Sequence, residues 1–221
     1  MEKKAFNKKY LSFEYFNLGK YGISPFELGI ESEIIHHKNK ATLAAYEWLL
    51  DLYGVPTSLF EIGTKNGGSM VLWDLILNSL EFNTKIVGID INIVQLSEYA
   101  KDYMKEREIS VYNCDSGNVI ELEKIIENSL ENSIDMLIDD GAHTIDTIIP
   151  NFKHLWPFIK NNGVYVIEDW SALHPEHRLL LFNELFNYLI GSWTESDTTS
   201  EYPFVIHFHR NIIAIQKKQN F

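Results

Sequence analysis

One cysteine, Cys114, is the whole thiol complement of this 221-residue sequence. That excludes an internal disulfide framework and any thiolate zinc cluster. Cys114 is expected to be a small, semi-buried side chain beside Asp115. Long apolar runs are also missing. No uncharged stretch approaches the ~20 residues that span a bilayer, and the basic start, Met1 to Lys9, is followed by no apolar segment of the secretory kind. Basic charge is scarce, with 19 Lys and Arg against 31 Asp and Glu, a formal charge of −12. Such a surface repels phosphate backbones and anionic lipid, so neither nucleic acid nor a membrane is expected as a partner. A soluble cytoplasmic protein is the remaining expectation. Hydrophobic residues make up 45% and aromatics 13% of the chain, enough for one globular domain with a real core.

From residue 58 onward, short β-branched runs alternate with longer amphipathic ones, with no internal repeat or low-complexity linker. Ser58–Ile62 and Lys85–Asp90 read as strands, each followed by a helix, the first over Ser69–Leu77 and the second through Gln95–Tyr103. A third strand near Ile109–Cys114 precedes a helix from Val119 to Ile126. Two more strands, Ile134–Ile138 and Gly163–Ile167, follow. Between them, Pro150 fits the first turn of a helix starting near Ile149, and Asn161-Asn162-Gly163 reads as a turn. This rhythm predicts an α/β doubly wound parallel sheet, which collects ligands at the carboxyl ends of its strands. After a helix around Glu176–Leu189, the strands Pro203–His209 and Asn211–Gln216 have too short a link for a crossover, so that pair should be antiparallel. Residues 1–45 do not share the rhythm. Their aromatics, among them Phe6, Tyr10, Phe16 and Tyr21, suggest a strap on the core, an interface between copies of the chain, or a lid over the substrate, with the main domain spanning 46–221.

Two strand-like runs end in acids. Ile134–Ile138 stops at Asp139-Asp140-Gly141-Ala142-His143, and Gly163–Ile167 stops at Glu168-Asp169-Trp170. Side by side in a parallel sheet, these ends would gather Asp140, Glu168 and Asp169 around one divalent cation, with His143 beside it as a base. Asp139 is expected to cap the following turn or touch a cofactor. An all-carboxylate set with open positions favours magnesium or manganese over zinc. The other seven histidines, including the His174/His177 and His207/His209 pairs, offer no third ligand for zinc and are expected at the surface or the substrate pocket.

The first strand runs into Glu61-Ile62-Gly63-Thr64-Lys65-Asn66-Gly67-Gly68-Ser69, a loop whose glycines let the backbone approach a ligand closely. Asp90 ends the second strand, where an acid accepts hydrogen bonds from ribose hydroxyls. Asp115 ends the third, at the place of an adenine edge. The spacing E-x-G-x-x-x-G-G differs from the dinucleotide pattern G-x-G-x-x-G, which argues against a nicotinamide-dependent oxidoreductase.

That loop resembles the first motif of class I S-adenosylmethionine-dependent methyltransferases. The resemblance implies a Rossmann-like fold with a mostly parallel seven-stranded sheet and an antiparallel C-terminal strand. It also implies that Glu61, Gly63, Thr64, Gly67, Gly68, Ser69, Asp90, Asp115 and Asp139 serve S-adenosyl-L-methionine. The two acidic motifs, with Leu155-Trp156-Pro157, are similar to the metal-dependent sugar O-methyltransferases of macrolide biosynthesis, the mycinamicin type, and to cephalosporin-hydroxylase-like relatives. By that resemblance, Asp140, Glu168 and Asp169 bind Mg2+ (or Mn2+), His143 is the general base, and the substrate is a small hydroxylated molecule, a sugar or glycosylated metabolite. Ala142 departs from the serine that family often carries, with Asp140 and His143 intact on either side. The catechol or caffeoyl-coenzyme A type, with a lysine base, is the alternative enzyme class; His143 and Glu168-Asp169 favour the sugar type. A non-catalytic binding protein on the same fold is the other alternative.

Overall fold

A computed structural model describes residues 38, 40–77, 83–96, 98–191, 204–209 and 211–218. Helix α1 (Lys40–Tyr53) leads into β1 (Ser58–Ile62), α2 (Gly68–Leu77) and β2 (Lys85–Asp90). Then come α3 (Glu98–Glu106), β3 (Ser110–Asn113), α4 (Val119–Leu130), β4 (Ile134–Asp139), α5 (Ile145–Leu155) and β5 (Ile159–Glu168). Helix α6 (Pro175–Gly191), β6 (Phe204–Phe208) and β7 (Ile212–Lys217) complete the order. The seven strands form one sheet in the order β3-β2-β1-β4-β5-β7-β6. Strands β1 to β5 pair in parallel, and β7 runs antiparallel to both β5 and β6. This is the sheet expected from the β-α rhythm and the short final link. It is the Rossmann-like fold of class I methyltransferases.

Continuous apolar runs in the strands follow from burial on both faces. Leu59, Ile86, Met136, Ile138, Val164, Val166 and Ala214 face one layer, packed with Tyr46, Leu49 and Leu50 of α1 and Met70 and Trp73 of α2. Phe60, Val87, Leu137, Tyr165, Ile167, Ile213 and Ile215 face the other, packed with α4, α5 and α6 through Leu122, Ile126, Phe152, Leu155, Leu181 and Leu185. Helix α1 is part of the first layer, so the domain boundary expected at residue 45 falls inside it. Of residues 1–45, on which the strap, lid or interface expectation rests, 1–37 and 39 lie outside the described residues.

Three local expectations shift. Pro150 lies inside α5 rather than in its first turn. Backbone bonds from Thr147 and Ile148 to the Thr144 carbonyl, 3.1 and 2.9 Å, start the helix well before the proline. Burial of Ile148, Phe152 and Leu155 offsets the lost helix bond. Asn161-Asn162-Gly163 is not a free turn but an irregularity within β5. The register against β4 shifts between Ile134 and Met136, and Asn162 has φ +66°. The helix expected from Gln95 begins at Glu98, after a short 3-10 turn over Ile93–Gln95.

The switch in strand order lies between β1 and β4, and there two backbone segments come into close contact. Gly63 has φ +88°, and a Cβ on it would come 2.3 Å from the Asp140 carbonyl oxygen. The glycine loop and the first acidic motif therefore lie in direct backbone contact. A side chain at 63 fails on both backbone conformation and space. Gly63→Ala should cost more than about 1 kcal/mol of stability. Gly191→Ala, where a Cβ meets nothing within 4 Å, should stay within about 0.5 kcal/mol of the parent. Urea midpoints of the two variants check this.

Candidate active site

At the carboxyl ends of β1, β2, β4 and β5 lies a cavity of about 680 Å³, within the roughly 300–1,000 Å³ of small-molecule sites. Its walls include Gly63, Thr64, Ser69, Asp90 and Asp115 on one side and Asp140, His143, Glu168 and Asp169 on the other. The glycine loop and both acidic motifs, far apart in sequence, thus share one space. Lys38, Thr42, Ile91, Cys114 and Ser116 also line it.

On the loop side, Asp90 accepts the backbone N–H of Lys65 at 2.6 Å and of Asn92 at 2.8 Å. It braces the turn while facing the cavity. Asp115 accepts the Gly117 N–H at 2.9 Å. The Thr64 hydroxyl is buried with no hydrogen-bond partner among the described residues, a polar atom left for a bound group. Gly67 and Gly68 do not touch the cavity. Gly67, with φ +85°, packs instead against Leu96, Met104 and Ala100, and a Cβ there would meet Leu96 at 2.9 Å. Its role is to let the start of α2 pack closely against α3. Cys114 is fully buried, deeper than the semi-buried position expected of it.

The acidic side has an outer and an inner part. In the outer part, His143 Nε2 stands 3.6 Å from Asp140 Oδ1 and 4.0 Å from Asp169 Oδ2. Ligand atoms of these three residues lie within 4.8 Å of one another. His143 and Asp169 both have left-handed backbones, φ +50° and +51°. Non-glycine residues rarely adopt that conformation, and it aims both side chains off their strand ends.

The inner part is buried and centred on Lys38. Its ammonium donates to Asp140 Oδ2 and Glu168 Oε1, each at 2.6 Å, and lies 3.0 Å from Glu61 Oε1. Burial works against the charged ammonium, but Glu168, Glu61 and Asp140 outweigh it and hold its pKa well above the ordinary lysine value. Burial raises the Glu168 carboxyl to about 7, while Lys38 pulls the other way. The Tyr46 hydroxyl donates to the same Glu168 oxygen at 2.5 Å, and its ring is fixed edge-on against Trp73 at 4.7 Å. Glu61 does not line the cavity; its other oxygen accepts the Ser69 hydroxyl at 2.7 Å.

Asp139, expected to cap the following turn or touch the cofactor, does not line the cavity, but its carboxylate accepts the backbone N–H of Gly141 and so caps that turn. Its carboxylate accepts Tyr165 Oη–H at 3.0 Å and the Asn151 amide at 3.3 Å. Burial raises its pKa to about 6 against the pull of those two donors. Two of the seven remaining histidines also find their places: His207 and His209 pack on the Trp48 ring, 4.9 and 4.8 Å between centroids, and His207 bonds Tyr53. They belong to the seam between α1 and β6.

Sequence reasoning missed Lys38 and Tyr46. Lys38 sits in the run His36-His37-Lys38-Asn39-Lys40, which reads as a solvated charge cluster. Tyr46 lies on the apolar face of α1, and nothing in the sequence marks its hydroxyl.

Sheet order and cavity together define a class I methyltransferase fold with a ligand site at the switch point. The family follows from comparison: the Rhamnosyl O-methyltransferase/CmcI model matches residues 34–180, and the chain belongs to that family. It is similar to the mycinamicin VI 2''-O-methyltransferase of Micromonospora griseorubida, 30% identical over 110 residues, 49% of this chain and 24% of that protein. A second relative is the 8-demethyl-8-(2-methoxy-alpha-L-rhamnosyl)-tetracenomycin-C 3'-O-methyltransferase of Streptomyces olivaceus. It is 27% identical over 128 residues, 54% of this chain and 30% of that protein. The matches thus span less than a third of these curated relatives. The fold is that of MycE methyltransferase from the mycinamycin pathway, solved in complex with Mg and SAH. That likeness has a TM-score of 0.62 at 21% identity and covers 91% of this chain and 55% of that one.

The Tyr165–Asp139 bond gives a test of the packing beneath the site. Tyr165→Phe leaves a buried carboxylate one donor short, at a cost of about 1–3 kcal/mol. The folded Asp139 pKa, about 6, lies above its unfolded value. The penalty for burying its charge is therefore present above that pH and relieved as pH falls through it. The loss in Tyr165→Phe should accordingly be larger well above pH 6 than below it. Urea unfolding of both proteins across pH checks the sign.

Proposed function

We propose that the chain is an S-adenosylmethionine-dependent, magnesium-dependent O-methyltransferase acting on a hydroxyl of a sugar or glycosylated small molecule in the cytoplasm. The observation that carries this reading is the shared cavity: the glycine loop with Asp90 and Asp115 faces Asp140, His143 and Asp169 across one space. The residues suit both groups. The unpartnered Thr64 hydroxyl and the Cβ-free Gly63 leave room and one polar atom for a close-lying cofactor. Asp90 and Asp115 suit its ribose and adenine, while Glu61, Gly67, Gly68 and Asp139 support the loop and strand ends from behind. Oxygen donors on Asp140, Glu168 and Asp169 suit a hard dication, and three carboxyl groups, Glu61, Asp140 and Glu168, converge on the Lys38 ammonium with Asp169 nearby on the other side of His143, leaving a surplus of negative charge.

When bound, the cofactor supplies an electrophilic methyl group and the dication acidifies a hydroxyl. The chain's own residues do the rest. His143, with Asp140 and Asp169 beside its Nε2, takes the hydroxyl proton as general base. The loop and the strand ends orient the two reactants across the cavity, and orientation accounts for much of the rate in an in-line displacement. The relatives' printed substrates, a mycinamicin and a rhamnosyl tetracenomycin, support a glycosylated acceptor. The expected interface between copies through residues 1–45 belongs to the same proposal.

With S-adenosylmethionine and glycosylated acceptors, EDTA should abolish turnover and Mg2+ or Mn2+ should restore it. Turnover that persists without metal would overturn the mechanism. His143→Ala should lower kcat by ~10²–10⁴, the usual size of a general-base contribution, with affinity for S-adenosylhomocysteine nearly unchanged. A thermal shift with S-adenosylhomocysteine and none with NAD separates this reading from an oxidoreductase.

A further inference from the structure

The inner part of the acidic cluster has the composition of a second cation site. Glu61, Asp140 and Glu168 each offer an oxygen within 4.8 Å of the others. They come from the carboxyl ends of β1, β4 and β5. Glu61 is completely buried, and its Oε1 has no hydrogen-bond partner among the described residues. What meets that oxygen is the charge of Lys38 at 3.0 Å. Three buried or half-buried carboxyls this close are tolerated only with a positive charge among them.

We propose that the Lys38 ammonium occupies this inner site in place of a metal ion and so confines a dication to the outer site beside His143. Lys38 takes Asp140 Oδ2 and Glu168 Oε1, while Asp140 Oδ1 faces His143. Asp140 thereby bridges an ammonium and the outer position much as a carboxylate bridges the two ions of a two-metal site. Lys38 is a positioning residue in this scheme. It acts through the carboxylates, by deciding which of their oxygens a cation can use. The inference rests on the proposed function and deepens it: of the three carboxylates assigned there to Mg2+, Asp140 and Asp169 belong to the outer site, and Lys38 leaves Glu168 only its second oxygen for the ion.

The test counts Mn2+ bound per chain, by electron paramagnetic resonance, in the wild type, Lys38→Met and Lys38→Arg. Lys38→Met keeps the length of the stem and removes the charge. It should bind one Mn2+ more than the wild type, and Lys38→Arg should not. Adding Glu61→Gln to Lys38→Met should remove the extra ion. Equal counts in the wild type and Lys38→Met overturn the proposal. If Lys38→Met is unstable, Mn2+ should raise its Tm by more than it raises that of the wild type, because the ion replaces the missing charge. An equal or smaller rise overturns the proposal as well. A wild type that binds no Mn2+ contradicts the outer site instead, and the difference of one ion between the two proteins still decides the role of Lys38.

Discussion

A single buried ammonium holds the carboxyl ends of the central strands together. Lys38 reaches Glu61 on β1, Asp140 just past β4 and Glu168 at the end of β5, all within 3.0 Å. Without a counter-charge, ionised carboxyls at that depth would cost several kcal/mol each, and they would protonate instead. Lys38 opposes that penalty, so strand ends that could have been capped with apolar residues carry carboxyl groups instead. Tyr46 adds a second donor to Glu168 and links this balance to the core through Trp73.

Two backbone constraints turn that charged floor into a site. Gly63 lets the loop after β1 touch the Asp140 backbone, which closes the distance between the cofactor half of the cavity and its acidic half. The left-handed residues His143 and Asp169 then swing their side chains toward each other from adjacent strand ends. The glycine loop and His143, about 75 residues of chain apart, end up facing across one cavity, by the general rule that open α/β sheets bind ligands at the switch in strand order. Asp139 illustrates the division of labour within one motif. It points into the second core layer toward Tyr165 and Asn151, and its neighbour Asp140 points into the cavity.

Much of this was legible in the sequence, and the failures have physical causes. The strands Ser58–Ile62 and Lys85–Asp90 match to the residue because buried parallel strands read as unbroken apolar runs bounded by loops. Asp90, Asp140, His143 and Asp169 were legible because polar groups at the end of such a run have few structural reasons to be there. Pro150 misled because propensity is a local signal, and the packing of Phe152 and Leu155 against the sheet overrides it. Asn161-Asn162-Gly163 carries turn chemistry that the structure uses for an irregularity in the β4–β5 register, where a Cβ on Gly163 would come 3.0 Å from the Asp135 carbonyl oxygen. Lys38 was invisible for a different reason: a lysine between histidines and another lysine looks solvated, and only the tertiary structure supplies the carboxylates that make its burial possible.

The central claim is that one cavity holds a methyl donor and a divalent cation side by side. The most direct measurement is the carbon-13 NMR signal of S-adenosylmethionine labelled at its methyl group, bound to the protein and titrated with Mn2+. Paramagnetic broadening of the methyl resonance, lost in Asp140→Asn with the cofactor still bound, is the predicted result. A methyl signal that stays sharp while both Mn2+ and cofactor are bound would contradict the account.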